Sequence, residues 1–187
     1  MAHSVCPVWF GHFLASPLRR LIQNPEKILA PYISHGMSVL DIGCAMGYFS
    51  FPLARMVGEQ GKVICIDVQE KMIQSLVKRA KKAGLLERIE PRICPSASLG
   101  INDLSGRIDF ALAFAVVHEV PDKERLFQEI YNALKENGVA LIADPKGIVP
   151  YKEWMNTVTT ALNSGFIGIE HPPIKKAYAI ALRKTAG

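Results

Sequence analysis

The sequence predicts an α/β fold built on a doubly wound, seven-stranded sheet, mostly parallel with an antiparallel C-terminal hairpin. Three observations carry that reading. Short apolar runs alternate with longer amphipathic ones from Ser38 onward; the first apolar run ends in an acid and a small-residue turn; and the last two apolar runs are joined by only a few residues around Pro172 and Pro173. A link that short cannot hold a helical crossover, so the final two strands must pair antiparallel.

The predicted strands are Ser38–Ile42, Lys62–Asp67, Ile89–Cys94, Ile108–Ala115, Val139–Asp144, Phe166–Glu170 and Tyr178–Leu182. Gln69–Ala83 reads as a helix with Met72, Ile73, Leu76, Val77 and Ala80 on one face, a basic opposite face and Gly84 as its stop. Asp122–Glu136 is a second helix, with Leu126, Phe127, Ile130 and Leu134 at helical spacing and Asn137-Gly138 ending it. Tyr151–Asn163 is a third. Before the sheet, Ser16-Pro17 and Asn24-Pro25 each set a capping side chain ahead of a proline, which predicts two short helices.

The expected organisation is one domain over 1–187, with 1–37 a helical lid segment and 38–187 an α/β core. The chain of 187 residues is 49% hydrophobic and 21% charged, ordinary globular composition, and its +5 net charge favours anionic partners only weakly. No apolar run approaches the roughly 18–20 residues that cross a bilayer. The apolar stretch from Val5 to Ser16 is short and lacks a basic start, so a cytoplasmic protein is expected. Cys6, Cys44, Cys65 and Cys94 have neither zinc-site spacing nor disulfide-scaffold density, so reduced thiols are the expectation.

The chemistry concentrates in Val39-Leu40-Asp41-Ile42-Gly43-Cys44-Ala45-Met46-Gly47, a strand running into an acid, a small-residue turn and then a helix. Gly43 and Gly47 allow a sharp turn and close approach of a ligand. A dinucleotide fingerprint would need G-x-G-x-x-G, and this turn fails two of its three glycines. Asp41 would also repel a pyrophosphate, whereas it suits a cation. The second strand likewise ends in an acid, Asp67, where a carboxylate can accept both hydroxyls of a ribose.

This motif resembles that of the class I S-adenosylmethionine-dependent methyltransferases, apolar-apolar-acid-apolar-G-x-G-x-G, with Ala45 in place of the middle glycine. The resemblance implies a Rossmann-like fold, S-adenosylmethionine as methyl donor and no metal. It implies that the Gly43, Cys44, Ala45 and Gly47 turn passes under the methionyl part and that Asp41 helps to hold its ammonium. It places Val68 and Met72 near the adenine, although Met72 also fits the core face of its helix. Ser96 and Ala97 stand where many relatives carry Asp-Ala beside the adenine, and Phe114 joins the expected cofactor-binding set.

Residues Ile108 to Asp122 resemble the fourth strand and following loop of the branch that methylates small molecules, including quinone-precursor C-methyltransferases. They lack the Asn/Asp-Pro-Pro-aromatic signature of enzymes that methylate nucleic-acid amino groups; His171-Pro172-Pro173-Ile174 falls after the sixth strand and reads as a turn. His118 is the candidate general base, the alternative being a structural histidine bonded to a loop carbonyl. Asp122 is expected to cap its helix. Trp9, Phe10, His12 and Phe13 are candidate lid residues, and Cys6 with Cys44 or Cys94 would be the set for a soft metalloid. The expected acceptor is a small molecule. The alternatives are an RNA methyltransferase using Lys71, Lys78, Arg79, Lys81 and Lys82 against a phosphate backbone, and a non-catalytic binder of S-adenosylmethionine.

Overall fold

The computed structural model describes residues 23–185. Seven strands form a mixed sheet in the order β3-β2-β1-β4-β5-β7-β6, and the chain divides into two compact units between Cys94 and Pro95. The expected lid aromatics Trp9, Phe10, His12 and Phe13, together with Cys6 and the Ser16-Pro17 helix start, lie outside the described residues.

The first unit opens on helix α1 (Pro25–Leu29), started as the sequence predicts: the Asn24 side chain accepts from the Lys27 N–H at 3.1 Å and Pro25 occupies the first turn. Strands β1 (Ser38–Ile42), β2 (Lys62–Asp67) and β3 (Ile89–Ile93) are parallel, with Ile42 opposite Ile66 and Asp67 opposite Ile93. All of β2 beyond Lys62 is buried, as befits a strand covered on both faces. Helix α2 (Ser50–Met56) follows the turn after β1. Helix α3 (Glu70–Lys82) buries Met72, Ile73, Leu76 and Ala80 of the face that its periodicity picks out, with Val77 only half-buried at the edge of that face, and Gly84 beyond its end takes a left-handed φ of 66°.

In the second unit β4 (Ile108–Phe114) runs parallel to β5 (Leu134–Pro145), while β7 (Ala177–Lys184) lies antiparallel between β5 and β6 (Phe166–Glu170). Helices α4 (Lys123–Ala133) and α5 (Tyr151–Asn163) connect them. Helix α4 stops three residues before the predicted Glu136. Leu134 is already extended, paired with Ile108, and Asn137 takes the positive φ of 61° that sets the following residues in register with β4. Periodicity places Leu134 on the helix because a buried leucine suits the end of a helix and the start of a strand equally. The turn chemistry of Asn137-Gly138 is real, but it bends a strand.

Two changes in α4 separate packing from capping. Phe127 is wholly buried with its ring edge-to-face on Phe166, at 6.4 Å between centroids, whereas Asp122 only accepts the Arg125 N–H at 2.9 Å. Phe127→Ala is expected to cost about 3–5 kcal/mol and Asp122→Ala about 1 kcal/mol, checked by urea denaturation. Equal losses would contradict the packing account.

Candidate active site

The turn after β1 is held almost entirely by β2. Gly43 and Cys44 both donate their backbone N–H to the Ile66 carbonyl, at 2.9 and 3.1 Å, and the next N–H, that of Ala45, donates to Asp67 Oδ2 at 2.9 Å. Gly47 N–H returns to the Cys44 carbonyl at 3.0 Å. Asp67 Oδ1 meanwhile accepts the Gln69 N–H at 2.9 Å, fixing the entry into α3. One carboxylate therefore ties the motif turn to the start of the next helix.

Backbone geometry shows why small residues stand here. Gly43 and Gly47 have φ of 67° and 91°, and a Cβ on Gly47 would come within 2.6 Å of Leu76 and 2.8 Å of Phe51. Ala45 is left-handed too, at φ 46°, which costs a non-glycine residue roughly 1–2 kcal/mol. The bond from its N–H to Asp67 opposes that strain. Where the motif of the family has a third glycine, this chain keeps the glycine conformation with an alanine.

The opposite edge of the turn is pinned by Arg79, whose guanidinium donates to the Met46 carbonyl at 2.5 Å and lies 5.2 Å from the centroid of Phe51. Its sequence context assigns Arg79 to a solvent-facing basic patch, and the structure corrects this: Lys71, Lys78, Lys81 and Lys82 are exposed, but Arg79 is half-buried and clamps the Met46 carbonyl. Nothing in its local sequence distinguishes it from its lysine neighbours, because its partner lies 33 residues away.

Asp41 is 3% exposed and accepts the Ser50 hydroxyl at 2.5 Å. Burial pushes its carboxyl up to about 7, with the nearby Asp67 charge adding to the rise and the Ser50 bond opposing it. Asp67 is also raised by burial, against the pull of the backbone N–H groups of Gln69, Ala45 and Val68. The Cys44 thiol is buried against Cys65; burial and that neighbour hold it well above its ordinary range. It lines the core as a neutral thiol, and Cys6, the residue common to both expected metalloid sets, lies outside the described residues.

Around the tip of β2, Val68 is 41% exposed and Ile93, opposite Asp67 in register, is 54% exposed. Met72 is buried in the core, in line with its helix periodicity. A carboxylate has about four lone-pair sites, of which the Ala45, Gln69 and Val68 N–H groups take three, so Asp67 retains acceptor capacity for one ribose hydroxyl. Exposed apolar side chains beside it offer a surface for a purine.

In the second unit, Ser96 and Ala97 form an exposed turn after β3, closed by Ser98 N–H on the Pro95 carbonyl at 3.3 Å. Glu129 anchors the next two residues, accepting from the Ser98 hydroxyl at 2.9 Å and the Leu99 N–H at 2.6 Å. Phe114 ends β4 and is buried, and Ala115 next to it holds φ 59°, a second alanine in the left-handed region at a strand end. His118 comes three residues later on a short 3-10 turn (Val117–Glu119). Its Nδ1 lies 2.8 Å from Asp144 Oδ1, so its partner is a carboxylate and not a loop carbonyl. Asp144, near the end of β5, goes unnoticed in the sequence because it looks like an ordinary strand-terminal acid.

Residues 33–171 match the protein family described as "Methyltransferase domain", and the match runs through both units. The chain therefore belongs to that family. An arsenite methyltransferase of Halobacterium salinarum is 29% identical over 130 residues, covering 70% of this chain and 32% of the relative. A 23S rRNA uracil methyltransferase of Acinetobacter baumannii is 40% identical over 81 residues, 43% of this chain and 17% of its own. This chain thus spans about a third or less of the length of these curated relatives. A solved S-adenosylmethionine-dependent methyltransferase from Aquifex aeolicus superposes with a TM-score of 0.83 at 25% identity, over 96% of this chain and 98% of that one. Fold and family together are those of the class I S-adenosylmethionine-dependent methyltransferases.

The buried Asp41 carboxyl has a consequence for stability. Its folded pKa is raised above the unfolded value of about 3.9, so its contribution is favourable below that value and is lost as pH rises toward about 7. Asp41→Asn, which keeps an acceptor for Ser50, is expected to raise Tm by several degrees at pH 8 and to leave it nearly unchanged at pH 4. Thermal scans at the two pH values check this; equal shifts at both would contradict it.

Proposed function

We propose that the chain binds S-adenosylmethionine on the first unit and transfers its methyl group to a small-molecule acceptor. The observation that carries the reading is where the donors of the motif turn point. In a pyrophosphate-binding turn the backbone N–H groups face the anion. Here those of Gly43, Cys44 and Ala45 are spent on the Ile66 carbonyl and the Asp67 carboxylate. What remains is a site whose charge comes from Asp41 and Asp67, which favours a cation.

In this reading Asp67 accepts a ribose hydroxyl, Val68 packs on the adenine, and the Gly43–Gly47 turn lies under the methionyl chain. Asp41 supplies negative charge for its ammonium. The bound group supplies an activated methyl on a sulfonium; the chain's own contribution is to align, to exclude water and to receive a proton, and proximity effects of this kind reach about 7–11 kcal/mol in favourable cases. A small acceptor is supported by the likeness to the arsenite methyltransferase. A nucleic-acid acceptor loses support because Arg79, part of the basic patch it would use, is committed to Met46. Among the described residues no helix is long and apolar enough to cross a membrane.

Calorimetric titration with S-adenosylmethionine tests the cofactor assignment. Asp67→Ala is expected to weaken binding at least tenfold. Affinity is also expected to depend on pH through Asp41: a cationic ligand favours the ionised carboxylate, so affinity falls by up to tenfold per pH unit below about 7, and Asp41→Asn removes that acidic limb. An unchanged isotherm for Asp67→Ala, or a pH-independent wild type, would contradict the assignment. Transfer of labelled methyl to a low-molecular-weight product tests the rest of the reading, and binding without any transfer would leave a non-catalytic binder.

A further inference from the structure

We propose that His118 is the general base of the reaction and Asp144 its positioning residue, and that the acceptor is therefore a protic nucleophile, one that loses a proton as it gains the methyl. The inference rests on the methyl-transfer reading and adds the substrate class. It starts from four observations within the second unit. His118 sits on the loop at the carboxyl end of β4 and Asp144 near the carboxyl end of β5, the ends at which doubly wound sheets bind ligands. Their side chains meet at 2.8 Å through His118 Nδ1 and Asp144 Oδ1.

The Asp144 side chain is fully buried, and among the described residues no donor reaches its second oxygen, so His118 is the group it has for compensating its charge. Finally, the left-handed Ala115 bends the chain three residues before His118, at a conformation that an alanine holds only under constraint from its surroundings.

An ionised carboxylate is an acceptor only, so Nδ1 must carry the proton and Nε2 of the neutral ring keeps its lone pair. Nε2 is 4.0 Å from Glu119 Oε1, too far for a hydrogen bond and near enough for a charge effect. Other charged groups face the pair from packed elements: Glu153 on α5, bridged at 3.3 Å by Lys123 of α4, which also reaches Thr157. Burial disfavours the imidazolium, but the Asp144 bond and the charges of Asp144, Glu119 and Glu153 outweigh it and raise the pKa of His118. The ring is thus a stronger proton acceptor than an ordinary imidazole.

The step balances without a further reagent. The acceptor's heteroatom or activated carbon gives its proton to Nε2, and the electron pair released forms the new bond to the methyl carbon. The carbon–sulfur bond of the donor breaks with its electrons kept by sulfur, and the imidazolium then yields its proton to solvent. A lone-pair nucleophile with no proton to lose gains nothing from this arrangement.

His118→Ala would strand a buried carboxylate, so the variants are His118→Gln and Asp144→Asn, with Asp144→Glu as rescue. The first readout needs no turnover: long-range proton–nitrogen NMR of histidine-labelled protein, assigned by the His118→Gln spectrum. We expect an Nδ1–H tautomer for neutral His118, a pKa above 6.5, and a fall in that pKa in Asp144→Asn. The second readout is methyl transfer to catechol, menadiol and 2-mercaptoethanol, with glutathione-complexed arsenite as the lone-pair comparator. Asp144→Asn and His118→Gln should lower transfer to the protic probes at least 100-fold and leave S-adenosylhomocysteine affinity within twofold. The acidic limb of the pH–rate profile should follow the NMR pKa, and Asp144→Glu should recover part of the rate. An Nε2–H tautomer, a pKa unmoved by Asp144→Asn, protic transfer at the wild-type rate in either variant, or a wild type that methylates arsenite alone or none of the probes would overturn the proposal. If wild-type protein gives no S-adenosylhomocysteine isotherm, the cofactor reading fails and this one with it.

Discussion

The first unit depends on the carboxylate of Asp67. It stands at the tip of a strand buried on both faces, reaches back 22 residues to the Ala45 N–H and forward to the Gln69 N–H, and so sets the geometry of the turn on one side and the helix on the other. Hydrogen bonds to a charged group are worth about 1.5–3 kcal/mol each, comparable to the strain of a left-handed alanine. That balance explains how Ala45 can take a glycine's place without opening the turn. The same carboxylate has one acceptor site left over, so in the proposed reading one group both shapes the site and faces the ligand.

Much of this is legible in the sequence because it is local. Ser38–Ile42, Lys62–Asp67, Phe166–Glu170 and Tyr151–Asn163 have the observed limits, and the caps at Asn24 and Asp122 do what their residue types predict. The acids at the ends of β1 and β2 are visible as a pair because each closes an apolar run. Arg79 and Asp144 are not, and for one reason: each acts through a partner 33 or 26 residues away, on another element, and looks locally like a surface cation or a strand-end acid. Leu134 differs in another way. Its burial is as expected and its secondary structure is not, since an apolar residue followed by Asn-Gly reads equally well as the end of a helix or as a bulged strand.

Both units set stability against chemistry at the same kind of place. Asp41 is buried at a pKa of about 7, and Asp144 is buried with one oxygen unpartnered among the described residues. Ala45 and Ala115 hold left-handed backbone just after β1 and β4. A fold selected for stability alone would place asparagine or an apolar side chain at the first two positions and glycine at the others. In the functional reading these costs become useful: an acid that waits for a cation in one unit, and an acid that orients a proton acceptor in the other.

The most direct test of the role given to Asp67 is a cycle that pairs the residue with the ligand atoms it is said to hold. Affinities of S-adenosylhomocysteine and its 2′-deoxy analogue are measured for wild type and for Asp67→Ala. Loss of the hydroxyl should cost the wild type about tenfold or more and the variant almost nothing, giving a clear coupling between the two. Equal losses in both proteins, or an analogue that binds the wild type as well as the parent compound, would contradict the account.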